Sequence, residues 1–324
     1  MTDNTTIPKK EESLVNFVPP KFSMSLLHPK YWGIWFGFGF IALLVNVLPY
    51  RVLYWIGRSL GYLSMFVVKK RVKVAQRNLE LCFPEISNTR KDYLVKENFK
   101  NTGFAIFESA IAWFWPDWRL KKRVGYYHVD RLTKFEEQGR GTLICGVHAL
   151  NVELTARCCA LFSPGYGVYR PHNNPVFNFI QHWGRTRNGN IMVDRKDVKG
   201  MLKVLRKGKK LFYLPDHDYG PKNAVFVPFF AVPDACTTTG TSVLVDASKC
   251  AVLPVSCFRV GFRYDFRIEQ DISEGFPRRD PEGAAIHMNK TIEKLILRGG
   301  DQWMWLHKRF KTMPDGKNKG IRYK

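Results

Sequence analysis

Along this chain the apolar and polar positions change their rhythm several times. Residues 31–50 (Y-W-G-I-W-F-G-F-G-F-I-A-L-L-V-N-V-L-P-Y) form twenty consecutive positions without a charge. From 51 to 77 the apolar residues Val52, Leu53, Ile56, Leu60 and Leu63 recur at helical spacing. Residues 89–118 predict a long helix that Pro116 stops. Beyond it, short apolar runs alternate with helical patterns. Strands are expected at 143–147, 165–171, 210–214, 251–255 and 262–268, and helices at 176–183, 198–205 and 284–297. Residues 225–230 read as an apolar loop or edge strand, and 237–241 open a helix running to 247. Strands alternating with helices predict one α/β domain. The organisation is a flexible leader at 1–30, a membrane-anchor helix at 31–50 and a single domain at 51–324. That domain has a central mixed sheet flanked by helices.

Segment 31–50 is just long enough to cross hydrocarbon as a helix. Tyr31, Trp32, Trp35 and Tyr50 stand at its ends like interfacial aromatics. Its three glycines, Asn46 and Pro49 leave a buried or interfacial helix as the alternative. The helical pattern after it carries Arg51, Arg58, Lys69, Lys70, Arg71, Lys73 and Arg77 and reads as a helix on anionic headgroups. Lys and Arg number 51 against 28 acids, a net charge of +23, which calls for an anionic partner. If the segment spans, the positive charge after it favours a cytoplasmic side for the domain. The seven cysteines show no C-x-x-C spacing and read as buried free thiols.

Chemistry concentrates at 143–153, L-I-C-G-V-H-A-L-N-V-E. A short buried strand ends near His148, and a helix is expected to begin there. On a regular helix five residues turn through about 500°, leaving the side chains of His148 and Glu153 about 140° apart. They converge only if His148 lies at or before the first turn. Glu153 would then accept from one ring nitrogen and leave the other as a general base; the alternative is a core histidine beside an unrelated surface glutamate. Arg185 and Arg187 suit phosphate or carboxylate. Arg170, at the end of the expected strand 165–171, is a further anion contact. Asp216 and Asp218 flank His217, either as a metal-holding D-x-D, as in some membrane-associated glycosyltransferases, or as local backbone caps. Hydrolase, kinase, zinc-protease and dinucleotide fingerprints are absent from the sequence.

In order, G-V-H-A-L-N-V-E, Y-R-P-H-N-N-P, W-G-R-T-R, D-R-K-D-V-K-G-M, P-D-H-D-Y-G-P, V-F-V-P-F-F, T-T-T-G-T and W-L-H-K-R-F-K-T resemble the late lipid A biosynthesis acyltransferases. These are the lauroyl- and myristoyl-type, acyl carrier protein-dependent enzymes of Gram-negative bacteria. L-H-P-K-Y-W, R-N-L-E-L-C-F-P-E and A-W-F-W-P-D match as well, so the resemblance runs from about residue 22 to 311. Ala149 and Asn151 depart from the family, which usually has an aromatic residue and a Thr or Ser there.

The resemblance implies a glycerol-3-phosphate acyltransferase-like fold. It implies an acyl carrier protein thioester as donor, with no further cofactor and no metal. The acceptor is the Kdo-bearing tetraacyl lipid A precursor, and the product is an acyloxyacyl ester on one of its hydroxyacyl chains. P-D-H-D-Y-G resembles the branch that adds the first secondary chain. His148 and Glu153 carry over as catalytic residues, and Arg185 and Asp216 as substrate-site residues. The enzyme is expected at the inner membrane, on a single anchor, with its catalytic domain on the cytoplasmic face. Its partners would be the carrier protein, the lipid precursor and anionic lipid, not nucleic acid. A glycerolipid acyltransferase is the nearest alternative, but those enzymes usually carry H-x4-D.

Overall fold

The computed structural model describes residues 14–316 and 320–324, so the first part of the expected leader lies outside the described residues. Four α-helices come first among the described residues: α1 (Trp32–Val47), α2 (Tyr50–Val67), α3 (Lys69–Cys82) and α4 (Asn88–Phe114). The single amphipathic helix expected over 51–77 is thus two, broken at Val68. Ser87 caps α4 by accepting from the Arg90 N–H, and Pro116 follows its end. α2 presses a glycine stripe against α4. A Cβ on Gly103 would lie 2.3 Å from the Gly57 carbonyl oxygen, so the two backbones touch. This packing, rather than headgroups, takes the inner face of α2. Its outer face leaves Trp55, Leu60, Leu63, Phe66 and Val67 exposed.

α1 leans its flank on the domain. Trp115 Nε1 donates to the Val45 carbonyl at 2.7 Å, and Phe38 meets the rings of Trp113 and Phe177. Phe36, Phe40, Leu43 and Val47 face outward. With the turn before it, residues Pro29–Val47 form one helix of 19 residues, long and apolar enough to cross a membrane.

After α5 (Asp117–Lys121) the α/β part begins with β1 (Val124–Tyr127), α6 (Arg131–Glu137) and β2 (Thr142–Cys145). It continues through α7 (Val152–Ala160), β3 (Tyr166–Tyr169), α8 (Pro175–Thr186), β4 (Ile191–Asp194), α9 (Val198–Arg206) and β5 (Lys210–Tyr213). A hairpin, β6 (Ala224–Phe229) and β7 (Val232–Thr238), stands apart as its own small sheet. Then come α10 (Gly240–Ser248), β8 (Ala251–Val260), β9 (Arg263–Ile268) and α11 (Pro281–Arg298).

The main sheet has seven strands in the order β1-β9-β8-β2-β5-β3-β4. Every pairing is parallel except the β8–β9 hairpin, so the sheet is mixed, as expected. β2 sits between β8 and β5, and all four of its residues are buried. A strand covered on both faces needs a continuous apolar run, which 143–145 supply. Glu108 of α4 is buried too, and accepts from Arg259 Nε at 3.1 Å and from the Tyr264 hydroxyl at 2.8 Å. All seven cysteines are free and buried.

Candidate active site

The parallel register of β2 and β5 builds the site. Cys145 lies beside Tyr213 at the carboxyl ends of the two strands. Three residues further along each chain stand His148 and Asp216. Open α/β sheets place ligands outside such strand ends. The helix expected to start near His148 begins only at Val152, so His148 sits in a loop.

Asp216, not Glu153, orients the His148 ring. Nδ1 of His148 lies 2.6 Å from Asp216 Oδ1, and the His148 backbone N–H donates to Oδ2 at 2.8 Å. A third donor, Trp303 Nε1, reaches Oδ2 at 2.7 Å. Trp303 belongs to the segment after α11. An antiparallel bridge to Ala149 and a bond from the Met304 N–H to the His148 carbonyl hold that segment against the loop. Asp216 is 0% exposed, so its place is under the histidine and not against a substrate. Burial pushes its carboxyl up, but His148 and the donated bonds outweigh this and hold it well below the usual carboxylate range. An ionised Asp216 can only accept, so Nδ1 carries the proton and Nε2 keeps the lone pair. The His148 side chain is 21% exposed, which leaves this edge of the site open to a ligand.

Glu153, in the first turn of α7, belongs to a second constellation. Both its oxygens accept from Arg185 Nε, at 3.1 and 3.0 Å, and Arg185 Nη2 also bonds Oε1. Trp113 Nε1 donates to Oε2 at 3.0 Å. The side chains are 10% and 24% exposed. Burial pushes the Glu153 carboxyl up, but the Arg185 charge and the bonds from Arg185 and Trp113 outweigh this and keep it below its ordinary value. Arg185 is therefore already engaged, and its guanidinium also lies 5.4 Å above the Tyr169 ring. The close approach of α8 to α4 sets this pairing: a Cβ on Gly184 would lie 2.4 Å from the Trp113 ring. Arg187, the other half of the expected pair, turns to the Trp113 carbonyl. Arg170 is exposed just after β3.

In the Asp-His-Asp stretch protein donors occupy both carboxylates, and Asp218 caps its own turn by accepting from the Gly220 N–H at 2.9 Å. Asp218 accepts from the Thr312 N–H and hydroxyl, both at 2.9 Å, and its carbonyl accepts from Lys311 Nζ at 2.7 Å. It ties down the carboxyl-terminal segment that brings Trp303 and His307 to the site. His217 stacks on His148 with ring centroids 3.5 Å apart and planes within 10°. His307 stacks on the other face of His217 at 4.2 Å, again within 10°. Burial pushes His217 down to about 2, with Asp216 opposing and His148, His307 and Arg309 adding to the fall. His307 is pushed down to about 4, by burial first and then by Lys311. Donor atoms of His148, Asp216 and His217 lie within 4.8 Å of one another, as in a metal site. A metal must lie in the plane of each imidazole that binds it, however, and two parallel rings share no such point. The cluster is a stack of rings, anchored at one end by the His148–Asp216 bond.

Trp303, His217 and His307 escape a sequence reading confined to local spacing. The signal that could have found the two histidines is the joint presence of P-D-H-D and W-L-H-K-R-F-K-T, far apart in the chain but touching here; Trp303 lies just before the second motif.

The family model described as bacterial lipid A biosynthesis acyltransferase matches residues 19–312. The chain is 45% identical over 298 residues to the lipid A biosynthesis lauroyltransferase of Escherichia coli (strain K12), covering 92% of this chain and 97% of that one. It is 41% identical over 302 residues to the lipid A biosynthesis palmitoleoyltransferase of the same strain, at 92% and 97% coverage. A lipid A biosynthesis acyltransferase of Haemophilus influenzae is 42% identical over 310 residues, at 93% and 97%. Among solved structures, the 1-acyl-sn-glycerophosphate acyltransferase from Thermotoga maritima aligns with a TM-score of 0.35 at 13% identity. It covers 76% of this chain and 96% of that one. A likeness that low adds nothing to the argument.

Proposed function

The chain belongs to the bacterial lipid A biosynthesis acyltransferases. We propose that it takes a fatty acyl group from an acyl carrier protein thioester and passes it to the hydroxyl of a hydroxyacyl chain on the Kdo-bearing tetraacyl lipid A precursor. The observation that carries the mechanism is the His148–Asp216 pair, one ring nitrogen tied to a buried carboxylate and the other free at the strand ends. A secondary hydroxyl is a poor nucleophile at neutral pH. Nε2 of His148 takes its proton as the oxygen attacks the thioester carbonyl. The tetrahedral intermediate then breaks its C–S bond, and the leaving thiolate receives that proton from the imidazolium. The products are an ester and the free thiol of the carrier. Asp216 stays ionised throughout, holding the tautomer and balancing the imidazolium charge. General-base help of this kind is worth roughly 10²–10⁴ in rate.

Glu153 then acts at one remove. It keeps Arg185 in place between α7 and α8, with Arg185 and exposed Arg170 offering positive charge to the phosphates and carboxylates of the acceptor. A net charge of +23 suits both an acidic carrier protein and a polyanionic lipid. The outward apolar faces of α1 and α2, with the basic start of α3, support a seat on the cytoplasmic face of the inner membrane. A sugar-nucleotide reading through Asp216 and Asp218 is disfavoured, because protein donors already occupy both carboxylates.

Product mass spectrometry tests the reading. The full-length protein in detergent is incubated with acyl carrier protein thioesters of several chain lengths and either the lipid A precursor or lysophosphatidic acid. An acyloxyacyl product from the precursor, with free carrier thiol in equal amount, is expected. Acylation of lysophosphatidic acid alone would replace this reading with a glycerolipid acyltransferase. Similarity to both a lauroyl- and a palmitoleoyltransferase makes the added chain length a direct readout of the same experiment.

A further inference from the structure

Three imidazoles from three separate stretches lie face to face in this site: His148 after β2, His217 after β5 and His307 in the carboxyl-terminal segment. Neighbouring imidazoles that both carried a proton would repel, and stacking at 3.5 Å would make that repulsion severe. The middle ring is buried, and its Nε2 has no hydrogen-bond partner. Leaving a buried ring nitrogen unpaired is costly, so its neighbours must compensate. What the position offers is a flat, dry, uncharged face against His148.

We propose that His217, backed by His307, is a positioning residue for the acyl transfer: it fixes the plane of the His148 ring, keeps water off the His148–Asp216 pair, and favours the protonated form of His148 at the moment the hydroxyl is attacked. This rests on the reading of His148 as the general base. Two effects act in the same direction. A neutral π-face attracts the cation that forms beside it. Excluding water from one side of the pair also strengthens the pull of the Asp216 charge on the imidazolium.

The charged and titratable groups around the stack fit this assignment. Asp216, on the β5 loop, bonds His148 and is the anion beside the stack. On the same loop Tyr219 gives its hydroxyl proton to the Leu214 carbonyl. Asp218 is occupied by Thr312 and by Gly220 N–H. From the carboxyl-terminal segment, Lys311 bonds the Asp218 carbonyl and Arg309 the Cys236 carbonyl; Arg309 disfavours a proton on His217 and on His307, and Lys311 disfavours one on His307. The stack can therefore hold one positive ring, and the pairing with Asp216 selects His148.

The test uses the full chain in detergent micelles with His217→Ala, which removes the face, and His217→Phe, which keeps an uncharged aromatic face. Two readouts run in parallel: the pH profile of kcat/KM, and the NMR titration of the ¹⁵N-labelled imidazoles, which needs no turnover. A face-to-cation attraction of the usual size moves a titration midpoint by about half a pH unit. The expected result is that His217→Ala lowers the midpoint of the His148 ring by about that much and moves the basic-group limb of kcat/KM with it. His217→Phe should keep both within about 0.2 units, a difference smaller than any effect the face is asked to supply. If His217→Ala folds, loses activity and leaves the His148 midpoint in place, the residue is only structural and the proposal is overturned. If His217→Phe shifts as far as His217→Ala, the face is not the cause and the proposal again fails. Failure of the underlying reading looks different: the wild-type kcat/KM limb would not track the His148 ring at all.

Discussion

Asp216→Asn removes one negative charge and almost no volume, which makes it the sharpest probe of the site. Asp216 accepts three protein donors at 2.6–2.8 Å. An amide has one oxygen and one NH₂ in place of two accepting oxygens. Its oxygen can keep either His148 Nδ1 or the pair of donors on Oδ2. If NH₂ faces the ring, Nδ1 must become the acceptor and the proton moves to Nε2, the atom that has to be basic. Losing the charge-assisted bond costs about 1.5–3 kcal/mol of transition-state stabilisation, ten- to a hundred-fold in rate. The wrong tautomer adds to this, as in hydrolytic triads, where the same exchange costs about 10⁴. Single-turnover acyl transfer from a carrier-protein thioester should therefore slow by roughly 10³–10⁴. Acceptor binding should change little.

Stability offers an independent readout of the same substitution. Burial opposes ionisation of Asp216, but its partners win, and its folded-state value lies well below the unfolded one. Such a carboxylate lends stability that is fully present above its unfolded value, near 3.9, and is lost as pH falls through the folded value. The gap in Tm between wild type and Asp216→Asn should be constant from pH 7 down to about 5 and should shrink below about 4. A well-folded Asp216→Asn within ten-fold of wild-type kcat would refute the account of Asp216 as the partner that holds the His148 tautomer.

His148→Ala should abolish transfer while leaving binding of the lipid precursor intact, since the ring contributes the proton step and not the affinity; equal losses in both, measured by kcat and by equilibrium binding, would count against it. Glu153→Gln and Arg185→Lys should each slow kcat/KM by about ten- to a hundred-fold, because each breaks the same partly buried, charge-assisted pair. The double variant should be little worse than either alone, and losses that simply multiply would show independent roles. Phe36→Asp with Phe40→Asp, on the outward face of α1, should move the protein from the membrane to the soluble fraction or to lower recovery without detergent; unchanged sedimentation would remove that face from the membrane contact.

Local pattern in the chain carries a great deal here. The buried run at 143–145 needs only apolar side chains to be a central strand, and the uncharged run up to Val47 needs only its composition to be an apolar helix with an exposed face; Tyr50, expected at its far end as an interfacial aromatic, instead opens α2 and is buried, its hydroxyl donating to that of Tyr264. The ordered motifs identify the family, because side-chain chemistry at reacting positions tolerates little change. Helix α4 and its stop at Pro116 are equally local matters of caps and missing N–H donors. What local pattern misjudges is who partners whom. His148 and Glu153 are five residues apart and do not bond; His148 and Asp216 are 68 residues apart and do. The reason is sheet register: β2 and β5 are parallel neighbours with Cys145 beside Tyr213, and an equal step past each strand end brings the imidazole to the carboxylate. Glu153, turned away on α7, meets Arg185 because α8 can approach α4 through Gly184. Trp303 and His307 reach the site only because Asp218 and Ala149 hold the carboxyl-terminal segment across it. Such contacts depend on which strands lie side by side and how closely two helices can press together, and those are properties of the assembled core, decided by burial summed over the whole domain rather than by any window of sequence.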